Sequence, residues 1–363
     1  MPDSSAILGI LDRARWAPSG DNTQPWRFEI VGDDHVIVHG FDTRDHVVYD
    51  LDGHASQLAI GALLETISIA ATVEGLGCRI ERRLDTPDTH LLIDVHLDDR
   101  PGVSPDPLAP FIEKRVVQRR AMSTRPLTVA QKEGLNASLP EGYSVVWFEG
   151  WAERFRVARL TFDNAKIRLN IPEAFQVHRA VIEWGARFSE DRIPSRAVGV
   201  DPMTERLMRS AMVSWSRIQF LNKWALGDLG PRIQLDLVPG LFCGAHIALF
   251  APRSLRTVDD YLAAGSVMQR FWLTAASIGL FIQPEMTPVI FSRYHREQVR
   301  FTRIEAARAS AGRLNARLAH LVGDNDLDRL FFMGRLGVGP APRSRSTRRC
   351  LADLMVSAGS ECR

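Results

Sequence analysis

Two arginine-rich segments, far apart in the chain, are the residues best equipped for chemistry. Residues 111–125 carry Lys114, Arg115, Arg119, Arg120 and Arg125 against one acid, and residues 343–349 carry Arg343, Arg345, Arg348 and Arg349 against none. A guanidinium forms bidentate, charge-assisted bonds with a phosphate oxygen pair. One such cluster is commonly a solvated helix face, but two in a chain of net charge +2 are consistent with a single bound phosphate. A third candidate is the run Ala17-Pro18-Ser19-Gly20-Asp21-Asn22-Thr23-Gln24-Pro25-Trp26. Its turn-formers and small polar side chains can read the edge of a flat polar heterocycle, while the Pro-Trp pair anchors the loop in a core.

The elements that must position these residues follow from periodicity. Apolar spacing predicts a helix over 4–16, strands near 26–31 and 35–39, a helix over 54–76 and a strand over 89–98. A Pro- and Asp-rich linker, Asp98 to Pro107, excludes regular helix or central strand. Beyond it the pattern predicts a helix near 128–138, a strand at 143–149, a helix from 151, a strand at 245–250, a helix over 258–278 and a strand near 331–336. Phe331-Phe332-Met333-Gly334 is read as buried, so the basic tail that follows starts from a core. Residues 151–230 read as a mainly helical, irregular insertion rich in tryptophan, methionine and arginine. It is either a lid forming an apolar pocket with a cationic rim, or a helical elaboration with an apolar core.

An internal repeat organises this pattern. Gly61-Ala62-Leu63-Leu64-Glu65 leads to Gly75-Leu76, and Ala264-Gly265-Ser266-Val267-Met268 leads to Gly279-Leu280, with the glycine pairs 61/75 and 265/279 equally spaced. Both helices are apolar nearly all round and carry small residues, so they belong at the centre of a fold and can approach each other closely. Two related halves packed about a pseudo-twofold axis are expected, at 1–100 and 111–363, and the mixture of strands and long helices points to an α+β fold.

The loop Ala17–Trp26 resembles the Ala-Pro-Ser-x-x-Asn-x-Gln-Pro-Trp segment of the flavin-dependent nitroreductase superfamily, which lines the FMN ring. The resemblance implies ring contacts at Ser19, Gly20 and Asn22, with Gln24 to Trp26 as structural follow-on. Arg115-Val116-Val117-Gln118-Arg119 resembles the family's Arg-x-Ser-x-Arg/Lys segment, which implies Arg115 on the phosphate and Arg119 at the pyrimidine edge, where a cation stabilises the anionic reduced flavin. Val117 stands where the family often has serine, and Gln118 is the expected replacement donor. Gly279 to Met286 resembles the strand-loop whose main-chain amides face flavin N5, which makes Pro284, Glu285 and Met286 candidates through their backbone. Gly75-Leu76-Gly77-Cys78 lacks the corresponding proline, so one flavin site is expected rather than two. The tail Gly339–Asp353 resembles the family's C-terminal phosphate clasp, with Arg343 and Arg345 the first candidates and Arg348 next.

The family is usually an obligate homodimer. A long chain carrying the central helix twice looks like the fused, Acg-type branch: an intramolecular pseudo-dimer, monomeric or dimerising again. The implied activity is an FMN-dependent oxidoreductase, with NAD(P)H as electron donor and a nitroaromatic, quinone or enone acceptor. Alternatives are an FMN-sequestering protein with a lid-occluded flavin, or a specialised biosynthetic flavin dehydrogenase.

Other chemistry finds little support. There is no Walker loop, Gly-x-Ser-x-Gly or His-Glu-x-x-His, and His178 and His246 stand alone in sequence. The near-neutral charge gives no argument for nucleic acid or membrane as partner, and neither is expected; a small-molecule substrate is what the resemblance implies. Cys78, Cys243, Cys350 and Cys362 show no metal-ligand spacing and read as reduced thiols. With a polar, acidic N-terminus and no uncharged apolar run near the roughly 20 residues that span a bilayer, a cytoplasmic location is expected.

Overall fold

The computed structural model describes residues 4–224 and 227–356, of Ser4 the backbone alone; Cys362 lies outside this range. The architecture is mixed helix and sheet, built around two four-stranded antiparallel sheets. The first contains β1 (Trp26–Ile30), β2 (His35–Phe41), β3 (Leu76–Arg82) and β4 (His90–Asp99), in the order β1-β2-β4-β3. The second contains β5 (Ser144–Phe148), β6 (Ala245–Phe250), β7 (Phe281–Pro284) and β8 (Leu330–Gly337), in the order β5-β6-β8-β7. Taken in chain order, both sheets follow one pattern, with the second strand beside the fourth and the third at the edge. In each, a long helix joins the second strand to the third: α2 (His54–Val73) in the first, α3 (Val258–Ser277) in the second.

The helix starts follow from local chemistry. At α2 the Asp50 carboxylate accepts from the Ala55 and Ser56 amides at 2.8 and 3.1 Å, satisfying N–H groups that the first turn leaves open. At α3 a capping box forms between Thr257 and Asp260. The two helices then cross at the repeated glycines. A Cβ on Gly61 would lie 2.0 Å from the Leu262 carbonyl oxygen, and a Cβ on Gly265 would lie 2.1 Å from that of Leu58. The relation is reciprocal, since each glycine faces the residue three positions before the other. Around the crossing, Gln269 donates to Thr66 at 2.9 Å and Arg270 to Glu65 at 2.5 Å.

The inner face of the first sheet (Val36, Val38, Leu91, Ile93, Val95) packs on α2 and on α1 (Ser4–Ala14). Helix α2 is long and apolar enough to cross a membrane by composition, but most of it is buried in this core. The second sheet is sandwiched: α3 and Leu280 cover one face, and helices Trp151–Leu169, Thr287–Arg296 and Glu305–Val322 cover the other. Phe331, Phe332, Met333 and Gly334 are buried as expected. One departure from the sequence reading stands out: β3 begins at Leu76, where the repeat suggested only the end of a helix. Of the two readings of residues 151–230, the start of the segment fits the helical elaboration with an apolar core, because Val157, Leu160, Ile167 and Ile171 pack beneath the second sheet.

The chain crosses between the two sheets twice near one place. Ile112 belongs to the first core, yet Val117 bridges Ile282 of β7. In return, the tail leaves β8 and ends on the first sheet, where Leu354 is buried, Phe28 bridges Met355 and the Val356 amide donates to Phe28. The expected boundary at residue 111 is therefore crossed in both directions. Both basic segments lie on these crossings.

Candidate functional site

The Ala17–Trp26 turn is held in an uncommon backbone conformation. Asp21, Asn22 and Gln24 have φ values of 49°, 66° and 50°, a region that Asn and Asp tolerate better than most residues. The Ser19 hydroxyl accepts from the Gln24 amide at 3.0 Å, and Trp26 is fully buried as the anchor. Ser19 is thus engaged by the turn itself. Asn22 is buried and its Nδ2 donates to the carbonyls of Glu190 and Arg192 at 3.0 and 3.4 Å, while its Oδ1 is buried without a partner. Gly20 and Asp21 line a small cleft of about 40 Å³ with Thr43, Tyr49, Asp50 and Ser56. That cleft holds a water-sized group and is too small for a tricyclic ring.

Beside the turn, Arg115, Arg345 and Arg348 converge. Arg115 Nη2 donates to the Trp16 carbonyl at 2.9 Å, and Arg348 Nε and Nη2 donate to the Ala17 carbonyl at 3.1 and 3.0 Å. Arg345 donates to the carbonyls of Glu113 and Arg115 at 2.9 and 3.4 Å. Their hydrogen bonds all go to main-chain carbonyls, and among the described residues none of the three forms an ion pair. Burial and mutual repulsion act together. Arg115, 4% exposed, is lowered well below the usual guanidinium range by desolvation and then by Arg348 and Arg345. Arg348, 8% exposed, is pulled down to about 9 by desolvation, with Arg345 and Arg15 adding to it. Arg345 is lowered chiefly by desolvation, with the Glu113 charge opposing. The Arg115 Nε is buried without a partner. Aromatic faces complete the cradle: Arg345 and Arg348 lie 5.0 and 5.9 Å from the Trp16 ring, and Arg115 lies 4.5 Å from that of Trp272. A concentration of positive charge, two of its three guanidiniums buried and none of them in an ion pair among the described residues, suits a dianionic phosphate.

Arg119 lies on a different side of the turn. It donates to the Ala197 carbonyl at 3.3 Å and is pulled down to about 10 by desolvation, while Asp21 opposes the shift. Asp21 itself is raised by desolvation, against Arg119 and Arg168. Gln118 donates to the Pro340 carbonyl at 2.7 Å and accepts from the Arg120 amide at 3.1 Å, so it braces the two crossings. Arg343 is exposed.

The Gly279–Met286 segment differs from its expected role. Pro284 has no N–H, and the Glu285 amide donates to the Met333 carbonyl at 2.7 Å, so neither offers a free main-chain donor. The reason is strand pairing: β7 continues against β8 through this position. Met286 is half-buried at the start of helix Thr287–Arg296. The Glu285 carboxylate instead joins a buried network, pairing with His246 Nδ1 at 2.7 Å and Arg335 Nη1 at 2.8 Å. Desolvation opposes the charge on His246, but Glu285 and Cys243 together overcome it and raise the imidazole to about 10. Arg335 in turn donates to the Arg119 carbonyl at 2.8 Å. Sequence offered no sign of this network, because its members are far apart in the chain.

Segment 187–200 covers the turn. It supplies the carbonyls that Asn22, Arg119 and Gln24 bind, and Phe188–Ser189 pairs in parallel with Arg345–Ser346 of the tail. Thr347 donates to Ser189 at 2.7 Å and Ser346 to Arg192 at 2.9 Å. Nearby, Tyr49 is hydrogen-bonded to His178 at 2.8 Å, and Arg168 pairs with Asp236. Desolvation, with Arg168 adding to it, pulls His178 down to about 3.

No family model matches this chain. Among curated proteins it is similar to "Uncharacterized protein MT1398" of Mycobacterium tuberculosis (strain CDC 1551 / Oshkosh), 24% identical over 295 residues, which is 77% of this chain and 38% of that protein. The chain thus spans well under half the length of that relative. Among solved structures, a nitroreductase-like family protein from Bacillus cereus superposes on 70% of this chain and 97% of its own, with a TM-score of 0.34 and 13% identity.

Proposed function

We propose that this chain is an FMN-binding oxidoreductase of the nitroreductase-like kind, with two related halves fused into an intramolecular pseudo-dimer. The observation that carries the reading is the convergence of Arg115, Arg345 and Arg348 beside the Asn22 turn with no ion-pair partner among the described residues. These arginines would hold the phosphomonoester. The unpartnered Asn22 Oδ1 would accept from the flavin, and Arg119, kept in place by the Arg335 bond to its carbonyl, would supply the cation that stabilises the anionic reduced form. Glu285 serves by fixing Arg335 through its side chain. When bound, FMN supplies hydride acceptance and donation at N5, with NAD(P)H as donor and a nitroaromatic, quinone or enone as acceptor. The protein holds the ring, excludes water and sets the charge around it. The shared strand order and the reciprocal Gly61/Gly265 crossing support the pseudo-dimer.

A second reading, an FMN-sequestering protein with little turnover, is favoured by segment 187–200, which occupies the polar groups of the turn. Anaerobic NADPH and NADH titration of the FMN-loaded chain, followed by a quinone, separates the two. Bleaching within a turnover time and recovery with the quinone support the oxidoreductase. Bound flavin that resists bleaching supports sequestration, and a chain that does not bind FMN contradicts both.

A further inference from the structure

The outward face of the first sheet carries chemistry that this reaction does not use. Side chains alternate across a strand, and β4 buries Leu91, Ile93, Val95 and Leu97 while turning His90, Asp94 and His96 the other way. β2 does the same with His35 and His39. The register sets His35 directly opposite His96, with Asp94 two residues along on the same face. We propose that His35, His96 and Asp94 form a binding site for one divalent transition-metal ion of the zinc class.

The geometry supports this in several ways. One ligand atom from each of the three residues lies within 4.8 Å of the others. His35 Nε2 is 2.7 Å from Asp94 Oδ1, and the two imidazoles face each other at 4.3 Å between ring centres. All three side chains are half-buried and stand on paired strands, so little ordering entropy opposes binding. Two imidazoles and one carboxylate suit zinc and its neighbours, and they leave a fourth position for water. A carboxylate must be ionised to bind metal. Asp94 is held at about 2, first by the Arg83 hydrogen bond and against desolvation. Arg83 is also the competitor, because its Nε and Nη2 fork the same carboxylate at 2.7 and 2.8 Å. Metal binding has to displace that fork, which makes Arg83 a diagnostic residue. His39 and His90, 3.2 Å apart on the same face, with Glu29 on His39, provide an internal control.

The test uses the untagged full chain, titrated calorimetrically with Zn²⁺ and with Mg²⁺, and with Co²⁺ followed by visible absorption. One equivalent of Zn²⁺ is expected, with no comparable Mg²⁺ signal. His96→Asn and Asp94→Asn each weaken Zn²⁺ by about 10- to 100-fold, the range seen when metal-site partners are removed. Arg83→Gln binds at least as tightly as the parent, and His90→Asn is unchanged. Circular dichroism checks each fold, and Arg83→Gln keeps the test informative if a ligand variant is unstable. Unchanged affinity in a folded His96→Asn or Asp94→Asn, loss of binding in His90→Asn, or weaker binding in Arg83→Gln overturns the site.

Discussion

Arg115, Arg345 and Arg348 are held close together by main-chain carbonyls and tryptophan faces, and like charges away from water repel. An anion that binds the folded chain and not the unfolded one therefore stabilises it, by about 2.7 kcal/mol at a hundred times its Kd. Inorganic phosphate should raise Tm by several degrees over chloride at equal ionic strength. Arg348→Gln should remove most of that gain, and an unaltered gain would show that the anion binds elsewhere. His178 gives a pH-dependent counterpart. Its folded pKa, about 3, lies below its ordinary 6.5, so the unfolded chain binds the extra proton first. Stability should fall as pH drops from about 6.5 towards 3. Urea midpoints across that window should fall less steeply in His178→Gln than in the parent.

At the scale of elements, the helix crossing and segment 187–200 matter most. A Cβ on Gly61 or Gly265 would meet a carbonyl of the opposite helix at about 2 Å, and overpacking of this kind costs on the order of 1–3 kcal/mol or more. Gly61→Ala and Gly265→Ala should each lower the urea midpoint, while the same change at Gly134, with nothing within 4 Å, should not. Asn22→Ala removes the Nδ2 bonds to Glu190 and Arg192, so limited trypsin digestion should cut faster after Arg187, Arg192 or Arg196. Unchanged cleavage would mean that other contacts hold the segment. Much of this architecture was legible in the sequence. Long apolar periods marked α2 and α3, and their equal glycine spacing anticipated the crossing. Helices Thr287–Arg296 and Glu305–Val322 escaped notice because their polar faces dilute the period, and β3 because Gly75-Leu76 read as a helix end. The arginine trio was visible as charge runs. Trp16, Trp272 and the His246–Glu285–Arg335 network were not, since only the fold unites residues so far apart.

At the scale of the whole molecule, the two crossings explain why the arginines meet. One chain segment passes from the first core to β7, the other returns from β8 to the edge of β1, and both run past the Ala17–Asn22 turn. A site assembled this way depends on both sheets. If the trio reads a phosphomonoester, comparing FMN with riboflavin, which lacks only that group, isolates its contribution. Flavin fluorescence titration of the parent chain and of Arg348→Gln is the most direct measurement. The parent should bind FMN at least about 100-fold more tightly than riboflavin, a difference of about 2.7 kcal/mol, and Arg348→Gln should remove most of this preference. Equal affinity of the parent for FMN and riboflavin would contradict it.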